Sequence, residues 1–453
     1  MEKQKTQKSG FYRSLFGLVL PIAVQNLIST AVSSADVVMV GYVGQDALSA
    51  VSLANQIMFI LQLVYSGIAS GATMLASQYW GKRDTAAIEK IMGIALRFSI
   101  GISFVFSVAA CGIPGFLMKI FTNEPELIRI GSEYLRIIGI SYLLMSVSQV
   151  YLCIMRSIER VVYSMVTYGS ALGLNIVLNA VFIFGLFGAP KMGVQGAALA
   201  TVIARGVELS ICLIDAVRFK TVRLRISAIF ERNKVLFGDY IKYALPAFGN
   251  EVVWGVAFTM YSVIMGHLGS DIVAANSVVV VARNLGTVLC FGISSGGAIY
   301  LGKEIGYGRV DEVKKDASRL CKVTLLSGAL GGLLIILLRP VMMQMVDLTD
   351  TAAHYLTIML FINGYYVIGQ AINTTVICGI FRSGGDSRFG FICDLIDMWA
   401  FSVPLGFISA FVLKLPPMWV YFLMCLDEFV KMPFIYKHYK SYKWLNNITR
   451  ENV

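Results

Sequence analysis

Charge is scarce in this chain. Asp, Glu, Lys and Arg make up 14% of its 453 residues against 57% hydrophobic residues, a balance that excludes a water-soluble globule of ordinary make-up. Histidine is nearly absent, and His267, His354 and His438 are too scattered to share a site. The eight cysteines, Cys111, Cys153, Cys212, Cys290, Cys321, Cys378, Cys393 and Cys425, fall in apolar stretches and never form a C-x-x-C pair. They read as small core residues, not as disulfide or metal ligands. There is no H-E-x-x-H, nucleophile elbow or P-loop, so no enzyme and no cofactor is expected, and any pumping runs on an ion gradient or a partner's ATPase. The period-two alternation of a membrane barrel is missing too. The net charge of +11 comes without any nucleic-acid reader motif, and nucleic acid is not an expected partner.

What is present is long apolar runs. A spanning helix needs roughly 20 apolar residues, and twelve such stretches are expected, at 14–40, 49–78, 91–113, 128–155, 163–188, 193–217, 240–266, 272–302, 317–345, 353–381, 388–412 and 416–437. The first is longer than a signal-peptide core and lacks a small-residue cleavage site, so it is expected to be retained.

The second half repeats the first at an offset of 225 residues, the distance from Pro21 to Pro246. At that spacing Gly41 meets Gly266, Gly44 meets Gly269, Asp46 meets Asp271, and Gly67-Ile68-x-Ser70-Gly71 meets Gly292-Ile293-x-Ser295-Gly296. Six spans per copy is an even number, so the repeats are parallel, as in transporters. The expected division is a cytoplasmic segment 1–13, an N-terminal lobe 14–217, a linker 218–239, a C-terminal lobe 240–437 and a tail 438–453. The N-terminal segment and alternate loops hold Lys3, Lys5, Lys8, Arg13, Lys82, Arg83, Arg156, Arg160 and the dense run from Arg218 through Arg232 to Lys242. The opposite side has only Lys119, Arg129, Lys191, Arg339 and Lys414. The positive-inside rule then puts both termini in the cytoplasm of a plasma-membrane protein, with an amphipathic linker segment against anionic lipid headgroups.

Ionisable residues at membrane depth are costly and therefore candidates for function. Asp36 is the sharpest; its repeat counterpart is Tyr261, so a cation site belongs to the N-terminal half. The alternative is a carboxylate that only reaches headgroups. Asn175 and Asn179 share a helix face at i and i+4, as do Ala197 and Thr201. Amide, hydroxyl and carbonyl oxygens with a carboxylate suit a monovalent cation, and a carboxylate alone suits a proton; interhelical glue is the other reading of the same residues. Glu251 and Arg283 fall at one level near the midplane of adjacent antiparallel helices and are expected to form an ion pair or a shared polar network, structural or ligand-facing. Asp394, Asp397, Asp427, Glu428, Arg205 and Glu208 lie nearer the cytoplasmic side and read mostly as interface salt bridges or snorkelling side chains, with a minority reaching the cavity as the alternative. Twenty methionines and abundant Phe and Tyr suit a plastic pocket or ordinary lipid-facing filler.

The repeat, the Leu20-Pro21 start, the aspartate 15 residues after that proline, Val40-Gly41-x-x-Gly44, Asn175-x-x-x-Asn179-x-x-x-Ile183-Phe184-Gly185 and Gly193-Val-x-Gly-Ala-Ala-x-Ala-Thr201 together resemble the multidrug and toxic compound extrusion family over about residues 14–440. The resemblance implies an all-α polytopic protein with two six-helix lobes around a central cleft. It also implies export of organic, often cationic, compounds in exchange for Na⁺ or H⁺ by alternating access, with a monomer sufficient. It maps the family's first-span aspartate to Asp36, its fifth-span asparagine to Asn175 and its sixth-span threonine to Thr201. Asn179 stands where many members have Asp, which weakens the case for Na⁺. No metal other than a Na⁺ at Asp36 is implied. Pro21 matches a hinge proline, though a proline is also tolerated near a helix start. Glu251 resembles a seventh-span cavity glutamate. A lipid-linked glycan flippase of the same superfamily is the alternative function.

Overall fold

The computed structural model describes residues 2–231, 233–345 and 348–451, with all side chains in these except 2–9, 226 and 345. Arg232, the side chains of Lys3, Lys5 and Lys8, and the extreme ends of the two terminal segments lie outside the described residues.

Among the described residues the chain is all helix. Eleven helices are long and apolar enough to cross a membrane. In chain order the spans are α1 (Glu2–Gly41), α2 (Gln45–Lys82), α3 (Thr85–Gly112), α4 (Pro125–Ser157), α5 (Val161–Phe184), α6 (Gly193–Arg218), α7 (Lys234–Leu268), α8 (Ser270–Gly306), α9 (Val310–Met345) and α10 (Asp350–Thr374), which runs on as a π-helix over Thr375–Phe381. The eleventh, α11, starts at Ser387–Ile396 and continues through π-helical Asp397–Ser402, helical Val403–Phe407 and π-helical Ile408–Val412. Pro404 has no amide to donate, and the widened turn just before it accommodates that gap. The twelfth span, expected as one stretch, is broken into Pro417–Met424, Asp427–Val430 and Met432–Ser441. Asp427, Glu428, Lys431 and Pro433 at the breaks are the reason, because neither buried charge nor proline favours an unbroken apolar helix. The fold is therefore a twelve-span membrane protein of two six-helix repeats.

Local signals start several helices. Asp84, Thr349 and Asp386 cap α3, α10 and α11 by accepting from Ala87 N (3.0 Å), Ala352 N (3.1 Å) and Phe389 N (3.3 Å), each cap contributing ~1 kcal/mol. The repeat-related Gly44 and Gly269 precede α2 and α8 at φ 148° and 126°, a region that a side chain disfavours.

Two compact units emerge, and they are not cut at the linker. One contains the chain up to Ala23 together with Leu245–Arg450, the other Val24–Ala244. The cuts fall inside α1, two residues after Pro21, and inside α7, two residues before Pro246. Each long helix thus gives its first turns to the unit built mainly from the other repeat. The duplicated glycine motif explains how. In one unit Gly71 of α2 lets Ala244 of α7 approach it directly, and Tyr240 donates to the Ile68 carbonyl at 2.8 Å. In the other, Gly296 of α8 lies against Val19 of α1 and Gly292 against Val19 and Ala23. Val19 and Ala244 are repeat counterparts, so the same close approach is built twice.

Within each unit the fourth or tenth span is central. The apolar window of α4 is 67% buried and that of the α10 span 61%, against 17–39% for the rest. Around α4, Tyr65 donates to the Tyr142 carbonyl at 2.9 Å and lies 2.7 Å from Ser103 Oγ. Around α10, Gly364 faces Gly332, and Gly331 faces Gly286, backbone to backbone. The linker makes a short helix, Ile226–Phe230, and is pinned to α3: Glu89 accepts from Arg223 N (2.8 Å) and pairs with Arg225 (3.0 Å), while Arg97 donates to the carbonyls of Ile229 and Glu231 (2.8 and 2.9 Å). Protein partners hold this basic segment.

A Cβ at Gly332 meets the Gly364 carbonyl, whereas one at Gly101 meets nothing within 4 Å. Gly332→Val should therefore lower stability by about 1–3 kcal/mol, and Gly101→Ala should be neutral or stabilising by up to ~1 kcal/mol. Thermal unfolding of the purified protein in detergent distinguishes the two.

Candidate functional site

The expected N-terminal set converges in space. Helix spacing presents Asn175 and Asn179 on one face of α5 and Ala197 and Thr201 on one face of α6, and α1 brings Asp36 to them. Asn179 Nδ2 donates to Asp36 Oδ1 at 2.6 Å. Asn175, with its amide oriented to satisfy both ends, donates to the same oxygen at 3.2 Å and accepts from Thr201 N (3.3 Å) and Oγ1 (3.2 Å). The single hydroxyl proton of Thr201 has a second acceptor in the Ala197 carbonyl, at 3.1 Å. Asn175 and Asn179 are buried, while Asp36 is half-buried at the edge of the cavity. Charge-assisted hydrogen bonds of this kind are what an ionised carboxylate needs where water is sparse.

These residues line a cavity of about 330 Å³ inside one unit, together with Asn55, Gln62, Tyr134, Tyr168 and Arg205. Tyr134 donates to Asn55 Oδ1 at 3.2 Å. Arg205, expected as an interface salt bridge, does pair with Glu208 at 2.5 Å, and Glu208 also accepts from Ser148 at 2.6 Å, but its guanidinium also lines this cavity and lies 5.3 Å from the centre of the Tyr168 ring. A signal was available, since Arg205 is one turn beyond Thr201 on α6.

The oxygens bordering the cavity would suit a monovalent cation. Asp36, the two amides, the Thr201 hydroxyl and the Ala197 carbonyl form an all-oxygen donor set once an amide turns its oxygen inward. Asn179 Oδ1 is buried and has no hydrogen-bond partner among the described residues. Among the described residues no His/Cys/Asp/Glu group suited to a transition metal is found, and the cysteines are free. Gly292-Ile293-Ser294-Ser295-Gly296 has the G-x-S-x-G spacing but lies inside α8, not at the strand-to-helix turn that an elbow requires.

The expected Glu251–Arg283 pair is not formed. Glu251 pairs with Arg382 at 3.1 Å, and the other arm of Arg382 donates to Asn250 Oδ1 at 2.8 Å. Arg283 instead lies over the rings of Phe258 (5.5 Å) and Tyr366 (6.0 Å). Residue counting along two helices says nothing about which way each side chain turns. Asn250 Nδ2 continues the network to Asp394 Oδ2 at 2.7 Å, and Asp394 meets Lys431 at 3.1 Å. Asp394 and Asp397 of α11 thus meet Lys431 of the twelfth span in interhelical salt bridges, as expected, and Glu428 pairs with the same lysine; with Asp427 they are all 5% exposed or less, so none of the four snorkels. Pro21 is inside α1 and cannot donate to the Gly17 carbonyl one turn earlier.

Truncation separates the two arginines. Arg382→Met strands Glu251 and should cost about 3–5 kcal/mol, whereas Arg283→Met loses ring contacts and should cost about 0.5–2 kcal/mol. Equal losses of thermal stability in detergent would contradict this assignment.

Comparison with known proteins adds the following. The MatE family model matches residues 21–181 and 246–408, so each match begins at the repeat-related proline. The chain is 25% identical over 446 residues to "Uncharacterized transporter YisQ" of Bacillus subtilis, covering 95% of each chain. It is 24% identical over 447 residues to "Probable multidrug resistance protein NorM" of Thermotoga maritima, covering 97% of this chain and 95% of that one. A solved structure described as "Crystal structure of MATE in the straight conformation" superposes with a TM-score of 0.86 at 17% identity, covering 95% and 96% of the two chains. "Outward-facing conformation of a multidrug resistance MATE family transporter of the MOP superfamily" gives 0.85 at 18% identity over the same shares.

Proposed function

The chain belongs to the MatE family, and from that premise we propose that it is a secondary-active multidrug exporter of the plasma membrane, moving organic, often cationic, compounds outward in exchange for H⁺ or Na⁺. The observation that carries this reading is the Asp36–Asn175–Asn179–Thr201 constellation bordering a cavity. Relatives such as the T. maritima protein are named as probable multidrug resistance proteins, which supports the substrate class. Small organic molecules are the cargo, the catalytic chemistry of an enzyme is not required, and a monomer suffices.

In this mechanism the ionised Asp36 is held by two amide donors. A proton on its carboxyl, or a Na⁺ held by Asp36 with the Asn175, Asn179, Thr201 and Ala197 oxygens, neutralises that charge and removes the reason for the amides to point inward. A cationic drug competes for the same carboxylate, so drug and ion occupy the lobe alternately. Pro21 is the proposed hinge, because the carbonyl it leaves free lets α1 bend without breaking a hydrogen bond. Both termini face the cytoplasm, consistent with the few basic residues on the opposite side.

Two outcomes are expected in proteoliposomes with Na⁺ and H⁺ gradients imposed separately and efflux of a fluorescent organic cation as readout. Asp36→Asn abolishes gradient-driven efflux while the protein remains folded; retained efflux would sink the assignment. Asn179→Asp adds a carboxylate to the set and shifts the drive toward Na⁺, read as tighter Na⁺ dependence of efflux.

A further inference from the structure

The unit built mainly from the second repeat holds a set of charges that the N-terminal cavity does not use. Lys431, at the last break of the twelfth span, is 2% exposed. Its ammonium lies 3.1 Å from Asp394 Oδ1, 3.1 Å from Glu428 Oε2 and 3.7 Å from Asp397 Oδ2. Asp427 is completely buried beside them and accepts from Glu428 N at 2.8 Å. Three carboxyl groups therefore meet one ammonium with a fourth buried beside them, and the adjacent guanidinium of Arg382 is already paired with Glu251.

Hydrogen bonding repeats the imbalance independently. Both oxygens of Asp397, Oε1 of Glu428 and Oδ1 of Asn373 are buried acceptors without any hydrogen-bond donor among the described residues. Asn373 is 1% exposed and is held in the cluster by its amide, which donates to Glu428 Oε2 at 2.7 Å. An unmet buried acceptor is destabilising, and an unpaired buried carboxylate more so. A carboxyl proton removes one negative charge and turns one acceptor into a donor, answering both deficits at once. A bound metal cation answers them less well, since Lys431 already occupies the point toward which three of the carboxyl groups converge.

The other titratable groups around the cluster do not supply the missing charge. From α7, Tyr261 donates to Ser402 Oγ at 2.6 Å and lies 3.4 Å from Asp427 Oδ2, and Glu251 is the partner of Arg382. From α8, Arg283 stacks on Phe258 and Tyr366. Tyr365 and Tyr366 of α10, with Cys378, Cys393 and Cys425 nearby, add no positive charge.

We propose that the Lys431-centred cluster of Asp394, Asp397, Asp427, Glu428 and Asn373 is a second proton-binding site, which takes up and releases at least one proton on a carboxyl of Asp397 or Glu428. Its π-helical turn at Asp397–Ser402 and the helix break around Asp427 place it on backbone that can rearrange. If the exporter reading holds, the cluster gives the second repeat its own ion station, in place of the aspartate that this repeat lacks opposite Asp36; proton binding itself does not depend on export.

The test is infrared difference spectroscopy of the full-length protein in lipid, titrated between acid and alkaline buffer in the Asp36→Asn background, with no substrate present. A carboxylic-acid C=O band that comes and goes with pH, and is lost or shifted in Asp397→Asn or in Glu428→Gln, is the expected result. No titrating band, or one unchanged in both variants, overturns the proposal. Loss of the band on adding Na⁺ at constant pH also overturns it, in favour of a Na⁺ site. Both substitutions are nearly isosteric, and thermal unfolding in detergent verifies that each variant is folded. Because the readout needs no transport, failed export with an intact band would count against the exporter reading alone.

Discussion

Polar groups in hydrocarbon have no water to turn to, and most of this structure can be understood as the ways its helices satisfy them. The backbone is satisfied by helix formation. Side chains are harder, because a carboxylate on one helix must find its donor on another, and that requirement ties helices distant in sequence to a common point. Asp36 of α1 is answered by two amides on α5. Glu251 of α7 is answered by Arg382 beyond α10, and Asp394 of α11 by Asn250 and Lys431. Each set joins elements that apolar packing would leave free to slide.

The two repeats share one close backbone contact and satisfy their side chains differently. Gly71 against Ala244 and Gly296 against Val19 are one contact made twice, and it fixes the crossing in which the first turns of α1 and α7 pack on the unit formed by the other repeat. Such a contact depends on the absence of a Cβ and tolerates little change. Chemistry has diverged where it is not so constrained. Asp36 in the first repeat corresponds to Tyr261 in the second, whose hydroxyl reaches Ser402. Besides Glu251 on α7, the second repeat carries a group of buried acids on its eleventh and twelfth spans, where they are accompanied by a π-turn and a helix break.

That asymmetry bears on how a two-lobed exporter of this family could work. One repeat presents a carboxylate at the edge of a cavity, half-exposed and cradled by neutral amides that can turn either end toward it. The other buries several carboxyl groups around a lysine with too few donors for them all. The first arrangement suits exchange of an ion with a drug; the second suits holding a proton away from solvent.

The sequence by itself determined the class, the twelve spans, the duplication and which N-terminal polar residues share a helix face. Composition excludes a soluble globule, and apolar run length is a property of local sequence. Asn175 with Asn179 and Ala197 with Thr201 are brought together by helix pitch alone, so their shared faces were legible before any tertiary contact was known. Tertiary structure decided the rest. Spacing along the chain pairs Glu251 with Arg283, yet the angle at which each leaves its helix, and the nearness of Arg382 some 131 residues away in sequence, follow only from packing. The crossing of α1 and α7, the fracture of the twelfth span and the gathering of three acids on Lys431 were likewise invisible. The physical reason is the same in each case: rise and pitch are set by the backbone of a single helix, whereas the neighbour a side chain meets is set by how several helices pack together.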